Sequence, residues 1–220
     1  MDLSPVVNQF VVVLLYLIPF IVLASVLKSP WFKGVAGEFI VNTLARIMLN
    51  KDEYHLIKNV TLRTEDGTTQ IDHVIVSRYG VFVVETKNMK GWIYGGSNQK
   101  QWTQKIYRHS NKFQNPLHQN YKHVRTIQSL LALNDEQIHS VIGFVGDSTF
   151  KTGMPENVTY GFGYIRFIKS KNKLVLGKSQ IDDIVRKINE GRLSPSYETY
   201  KEHVEHARNI VKEKKTMACK

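Results

Sequence analysis

The stretch QIDHVIVSRYGVFVVETK, Gln70 to Lys87, sets the strongest limit on what this chain can fold into. Two runs rich in β-branched and aromatic residues flank Arg78-Tyr79-Gly80, so the segment reads as a β-hairpin. With Arg78 and Tyr79 as the turn, Ser77 opposes Gly80, Val76 opposes Val81, Val74 opposes Val83 and Asp72 opposes Glu85. Side chains alternate between the two faces of a strand. One face then carries Asp72, Val74, Val76, Val81, Val83, Glu85 and Lys87, and the other carries Ile71, His73, Ile75, Phe82, Val84 and Thr86. Both faces are apolar, so the sheet must be covered on both sides. A bulge at Gly80 would shift the register by one and separate Asp72 from Glu85.

The covering layers are legible on either side of the hairpin. GVAGEFIVNTLARIML places Val35, Phe39, Ile40, Thr43, Leu44, Ile47 and Met48 at helical spacing, with Glu38 at the edge of the stripe. LHQNYKHVRTIQSLLAL does the same with Val124, Ile127, Leu130 and Leu131. YHLIKNVTLR predicts a first strand closed by the turn EDGT at 65–68, and GWIYGG a short strand followed by a loop to Asn115-Pro116. HSVIGFVG, VTYGFGYIRFI and KLVLG predict further strands; helices are expected over 179–190 and, highly charged, over 196–214. This order predicts an α/β (α+β) fold with a central mixed β-sheet flanked by helices.

The N-terminus is of a different kind. From Val6 to Leu27 the chain runs 22 residues without a charge, long enough to cross a hydrocarbon core of about 30 Å as a helix. Only Asp2 precedes the run, whereas Lys28 and Lys33 follow it, so the expectation is a single-pass membrane anchor with the rest of the chain on the cytoplasmic side. The alternatives are a signal peptide, which would begin with positive charge, or a buried core helix. KSPWFKG, 28–34, is expected as a linker, giving an anchor over 1–33, a domain over 34–146 and a C-terminal extension over 147–220. A net charge of +11 and a pI near 9.6 predict attraction to polyanions, nucleic acid or anionic lipid. The single cysteine, Cys219, excludes an internal disulfide and a cysteine-based zinc site, and no G-x-x-x-x-G-K phosphate loop supports ATP-driven activity.

Two acids facing each other beside four valines need compensation, because opposed carboxylates repel and burying them unpaired costs several kcal/mol. Lys87 is one partner. A divalent cation is the other, and magnesium (or manganese) suits one or two carboxylates with water and phosphate completing the shell. Such a set is suited to phosphodiester hydrolysis.

Gly37-Glu38, the hairpin from Gln70 to Asn88, GWIYGG, Gln101-Trp102 and NPLHQNYKHV from Asn115 to Val124 together resemble the nuclease-related domain (NERD) family, itself similar to the PD-(D/E)XK superfamily with its restriction-endonuclease-like core. The likeness covers about half the chain, Gly34 to Leu133. Where the wider superfamily has a leading proline, this chain has Ile71. The resemblance implies that Asp72 and Glu85 are metal ligands, Lys87 the catalytic lysine, Glu38 a helix acid holding metal or water, and Gln119 a helix glutamine near the site.

Independently, no acid occurs between Glu85 and Asp135, while Lys87, Lys90, Lys100, Lys105, Arg108, Lys112, Lys122 and Arg125 are interleaved with Trp92, Tyr94, Trp102, Tyr107, Phe113 and Tyr121. Cations neutralise phosphates and aromatic rings stack on bases, so Lys90, Gln101, Trp102, Lys105, Arg108, Gln119 and Lys122 are candidate substrate contacts. A solvated basic surface or a lipid-facing one is the plainer alternative. His203 and His206, with Glu202 and Glu205, read as an exposed charged helix rather than a metal site, and His73 as a hydrogen-bonded strand histidine. Gln119 and His123 share a helix face and point either to substrate or to a structural contact. The expectation is a membrane-anchored Mg-dependent nuclease acting on nucleic acid, DNA before RNA. The alternatives are a catalytically silent tethered nucleic-acid-binding or scaffolding module, and a lipid-binding peripheral protein.

Overall fold

A computed structural model describes residues 4–65 and 67–194 and, beyond them, 196, 198, 199, 201, 202, 204, 205 and 209. Helix α1, Ser4–Lys28, carries the uncharged run, and its Val11–Lys28 segment has a mean hydropathy of 2.6. It is long and apolar enough to cross a membrane and buries none of that segment in the folded body. The expected linker is not one. Helix α2, Pro30–Met48, starts after Ser29, whose hydroxyl caps it by accepting from the Phe32 amide, with Pro30 in the first turn where its missing N–H costs nothing.

Strands β1 (Tyr54–Thr64), β2 (Gly67–Ser77) and β3 (Gly80–Lys87) form an antiparallel meander. The β2–β3 register is the expected one, with Ser77 opposite Gly80 and Val74 opposite Val83. Gly80 has φ +126° and lies where a Cβ would meet the Gln137 carbonyl at 2.9 Å, so it turns the chain without a register shift. Then come the short strands β4 (Gly91–Tyr94), β5 (Gln101–Ile106) and β6 (His109–Gln114), helix α3 (Pro116–Leu131), strands β7 (Ile138–Phe144), β8 (Ser148–Phe150) and β9 (Val158–Tyr160), and helices α4 (Gly163–Ser170) and α5 (Lys178–Gly191).

The main sheet has the order β1-β2-β3-β7-β9, with β7 parallel to β3 and β9 parallel to β7. A smaller mixed sheet runs β6-β5-β4-β8. Val74, Val76, Val81 and Val83, all fully buried, pack against Ile127 and Leu131 of α3 and Ile181, Ile184 and Ile188 of α5. Ile75, Phe82 and Val84 pack on the opposite face against Val41 and Ala45 of α2 and Tyr164, Ile165 and Ile168 of α4. Burying both faces of the hairpin removes about 1.5 to 3 kcal/mol of hydration per large side chain, which is why the layered arrangement follows from the sequence pattern.

Several expectations change. The stretch before Asn115 is the β5–β6 hairpin rather than a loop, its few apolar residues (Trp102, Ile106, Phe113) being too sparse among polar ones to mark two strands. VTYGFGYIRFI is a strand only over Val158–Tyr160; Gly161 and Gly163 break it, and Tyr164, Ile165 and Ile168 then bury one helical face. KLVLG is not in a ladder; the Val175 and Leu176 amides donate to the Arg78 carbonyl. Ile71 lies on the same face as Val74 and Val76, not the opposite one, because alternation reverses between them. The neighbouring strand reverses as well, at Asn59, whose φ of +50° falls between the pairs Lys58–His73 and Val60–Ile71. The charged helix expected over 196–214 lies largely outside the described residues, as do His203 and His206; Glu202 pairs with Arg63 at 3.7 Å and Glu205 with Lys201 at 3.9 Å.

Candidate active site

The site forms where β2 and β3 part. Their ladder ends at His73–Val84, while β3 stays paired with β7 as far as Lys87–Phe144. Asp72 sits at the point of reversed alternation and takes over from the missing ladder, its Oδ2 accepting from the Thr86 amide at 2.9 Å. Glu85 is 2% exposed. Its Oε1 accepts from Lys87 Nζ at 2.6 Å, and Lys87 Nζ also donates to Gln119 Oε1 at 2.9 Å. Lys87 is therefore fixed between a strand acid and a helix amide.

Two motif segments bring helices to this fork. A Cβ on Gly37 would lie 2.7 Å from the Asn88 Cβ, so only glycine lets α2 come this close to the end of β3. The Asn88 side-chain amide donates to the Lys33 carbonyl at 2.6 Å, holding the approach. Glu38, the next residue, is thereby brought within electrostatic range of Glu85 and Asp72. On α3, Asn115 caps the helix through Leu117 N and donates from Nδ2 to the carbonyls of Gly96, Ser97 and Gln99. One turn on, Asn120 is fully buried and donates to Val83 O, Ser140 Oγ and Val141 O, tying α3 to β3 and β7. Gln119 and His123 follow from that anchoring.

His123 is the member of the site that its i, i+4 relation to Gln119 only hinted at. Its Nδ1 lies 3.0 Å from Thr69 Oγ1, and its Nε2 lies 3.4 Å from Glu85 Oε2 without the alignment of a hydrogen bond. Glu85 Oε2 is thus a buried carboxylate oxygen with no hydrogen bond.

The charges do not balance within the site. Burial and then the neighbouring Glu85 push the Asp72 carboxyl up to about 8, against a smaller opposing pull from the Thr86 amide and Lys87. Burial also works against ionisation of Glu85, but Lys87 and His123 outweigh it and hold that carboxyl below its ordinary value. Glu38 is raised by burial and by Glu85. Lys87 and His123 thus serve Glu85 first, while Asp72 and Glu38 stay raised beside it, so the cluster has room for a further positive charge. Among the described residues no group of three or more His, Cys, Asp or Glu side chains is gathered as a metal site. Asp72 and Glu85 together still match what magnesium takes from a protein: hard oxygens from one or two carboxylates, one of them here without a hydrogen bond.

The candidate substrate contacts divide. Gln119 is at the fork. Lys90, Gln101, Lys105, Arg108 and Lys122 are exposed, the first between β3 and β4, the next three on the β5–β6 hairpin and the last on α3. Trp102 is a core residue: fully buried among Ile93, Ile142, Phe144 and Val158, with its indole N–H donating to the Gly96 carbonyl at 3.0 Å, it cannot stack on a base. His73, expected to be hydrogen-bonded, is fully buried with both ring nitrogens unpartnered, and burial pushes it down to about 4.

Comparison with known proteins gives the same centre of gravity. An uncharacterized protein of Bacillus anthracis is 50% identical over 112 residues, which are 50% of this chain and 52% of that protein, so the chain spans about half the length of the curated relative it matches. No solved structure matches it significantly. The sequence profile of the nuclease-related domain matches residues 33–145, a span that contains Gly37, Glu38, the β2–β3 fork and the helix bearing Gln119 and His123. The chain belongs to the nuclease-related domain (NERD) family.

Proposed function

We propose that this chain is a membrane-anchored, divalent-metal-dependent nuclease that hydrolyses phosphodiester bonds of nucleic acid, DNA before RNA, with its folded body on the cytoplasmic side. The observation that carries the reading is the lysine held 2.6 Å from a buried glutamate beside a second acid whose carboxyl is raised by burial and by that glutamate. Asp72 and Glu85 would hold magnesium (or manganese), with Glu38 beside them. When bound, the ion supplies Lewis acidity that polarises a phosphoryl oxygen and acidifies water. Lys87, oriented by Glu85 and Gln119, presents a fixed ammonium to charge developing on the phosphate. Glu38, raised by burial, is suited to exchanging a proton at its carboxyl group. The anchor reading rests on the length and hydropathy of α1, and its orientation on Lys28 and Lys33. The division into an anchor over 1–33, a nuclease-like domain over 34–146 and an extension over 147–220 belongs to the same proposal; α4 and α5 of the extension complete the two faces of the core.

The test incubates the full chain in detergent with plasmid, single-stranded DNA and RNA, with magnesium or with chelator. Cleavage that needs magnesium and disappears in Asp72→Ala and Lys87→Ala is the expected result. Binding without cleavage would instead favour a silent tethered binding module. Affinity for anionic vesicles alone would make it a lipid-binding protein.

A further inference from the structure

The β4–β6 part of the small sheet is spliced between the two halves of the site. It leaves the chain after Lys87 and returns at Asn115, four residues before Gln119, and Lys87 and Gln119 are themselves hydrogen-bonded. The base of the β5–β6 hairpin is therefore tied to the fork, and six residues per strand carry its tip about 20 Å outward. That reach matches roughly six base pairs of a duplex.

The register assigns its faces. Trp92 pairs with Lys105, Tyr94 with Thr103 and Thr103 with Lys112, so Trp92, Tyr94, Lys105 and Lys112 share the side opposite the buried Ile93 and Trp102. Lys151 from the end of β8 stands 4.8 Å over the Trp92 ring. No acid lies on β4, β5 or β6.

The tip carries a second, separate signal. Tyr107 and Arg108 form the two-residue turn between the paired Ile106 and His109, and Tyr107 is 93% exposed. Its φ is +51°, in the left-handed region that bulky residues occupy only at a cost in stability. Asn59 shares such a φ but is of a type that tolerates it, and Ala132 caps α3. Glycine or asparagine would suit the turn better. Among the described residues Tyr107 makes no hydrogen bond or ring contact that would offset the cost.

We propose that the hairpin is a nucleic-acid-binding arm, in which the Trp92–Lys105–Lys112 face tracks the phosphates flanking the cleavage site and Tyr107 stacks on a base of the bound strand. The proposal rests on the nuclease reading above and names the surface that would hold its substrate. Stacking needs a projecting ring and no particular base, so the arm grips without reading sequence.

The experiment measures binding of the full chain in detergent, with chelator present to prevent cleavage, to a 2-aminopurine-labelled single-stranded oligonucleotide and its duplex. Tyr107→Asn should hold or raise the thermal midpoint, weaken binding about 5- to 100-fold and abolish quenching of 2-aminopurine. Tyr107→Phe should bind and quench like the wild type. Lys105→Ala should lower the slope of log affinity against log salt by about one. Binding by Tyr107→Asn within twofold of the wild type, or a lowered midpoint, would overturn the arm while leaving the nuclease reading intact. A wild-type chain that binds no nucleic acid would refute both.

Discussion

Replacing Asp72 by asparagine should make the metal-free protein more stable while removing its response to magnesium. The Asp72 carboxyl is raised from an ordinary 3.8 to about 8 by burial and by Glu85. An acid with a raised folded-state value binds its proton more tightly when folded, so its contribution to stability falls as pH rises from about 4 to about 8. At pH 7 the gap to the unfolded value is about 3 units, or ~4 kcal/mol at 1.36 kcal/mol per unit. That figure is a ceiling, since the side chain keeps partial contact with water. Asparagine keeps an oxygen to accept the Thr86 amide and carries no charge, so Asp72→Asn should recover about half, ~2 kcal/mol, or roughly 4 to 8 °C in melting temperature. Magnesium at 100 times its dissociation constant should add ~2.7 kcal/mol to the wild type and almost nothing to the variant. Tryptophan-fluorescence melts of the full chain in detergent at pH 6.5, 7 and 8, with magnesium or chelator, read all four quantities. If Asp72→Asn melts below the wild type in chelator at pH 8, the carboxylate is a stabilising partner of Lys87 and the charge-deficit reasoning fails.

Gly37→Ala should lower stability by about 1 to 2 kcal/mol despite the better helix propensity of alanine, because its Cβ would lie 2.7 Å from that of Asn88, whereas Gly34→Ala, with nothing within 4 Å, should be neutral or stabilising. Pushing α2 away from Asn88 would also displace the neighbouring Glu38, so plasmid cleavage, measured side by side, should slow about tenfold or more in Gly37→Ala only. His73→Leu removes two buried unpartnered nitrogens and should stabilise the fold. A histidine lowered from 6.5 to about 4 loses stability as pH falls through that window, so the variant's advantage in melts should grow by about 1 to 3 kcal/mol between pH 6.5 and 4, Asp72 being common to both chains.

The two-faced hairpin was readable because strict alternation over Val74, Ile75 and Val76 and over Val81, Phe82 and Val83 leaves one register that buries both faces. The grouping was readable in part for the same reason: register put Asp72, Glu85 and Lys87 at one end, although the expected Asp72–Glu85 pair is not in the ladder, which stops at His73–Val84. What alternation could not reveal is where it stops. Ile71 crosses to the valine face through a reversal matched by the left-handed Asn59 on the adjacent strand, a long-range backbone event with no local apolar signature. Trp102 is the converse case. A tryptophan in a basic, polar stretch looks like a stacking platform until the partners that bury it, Phe144 on β7 and Ile93 on β4, are brought together across the fold. Tyr107, another of the aromatics interleaved with the basic residues, is by contrast 93% exposed at the turn between β5 and β6.

The reversal at Asp72 is also what makes a site possible here. Had alternation continued, the β2–β3 ladder would have extended toward Lys87, and Thr86 N–H would have been satisfied by backbone. Its donation to Asp72 instead fixes a carboxylate that keeps partial contact with water, next to a glutamate that is almost fully buried. Proteins bury opposed acids only where something compensates them; Lys87 and His123 attend Glu85, while Asp72 and Glu38 are both raised by burial and by Glu85. An interior strand pair that stops pairing early, keeps one carboxylate partly wet and leaves a buried carboxylate oxygen without a hydrogen bond is destabilised as it stands. That deficit is the physical reason to expect a cation and an anionic substrate at the fork, and it would vanish if either acid were replaced by its amide.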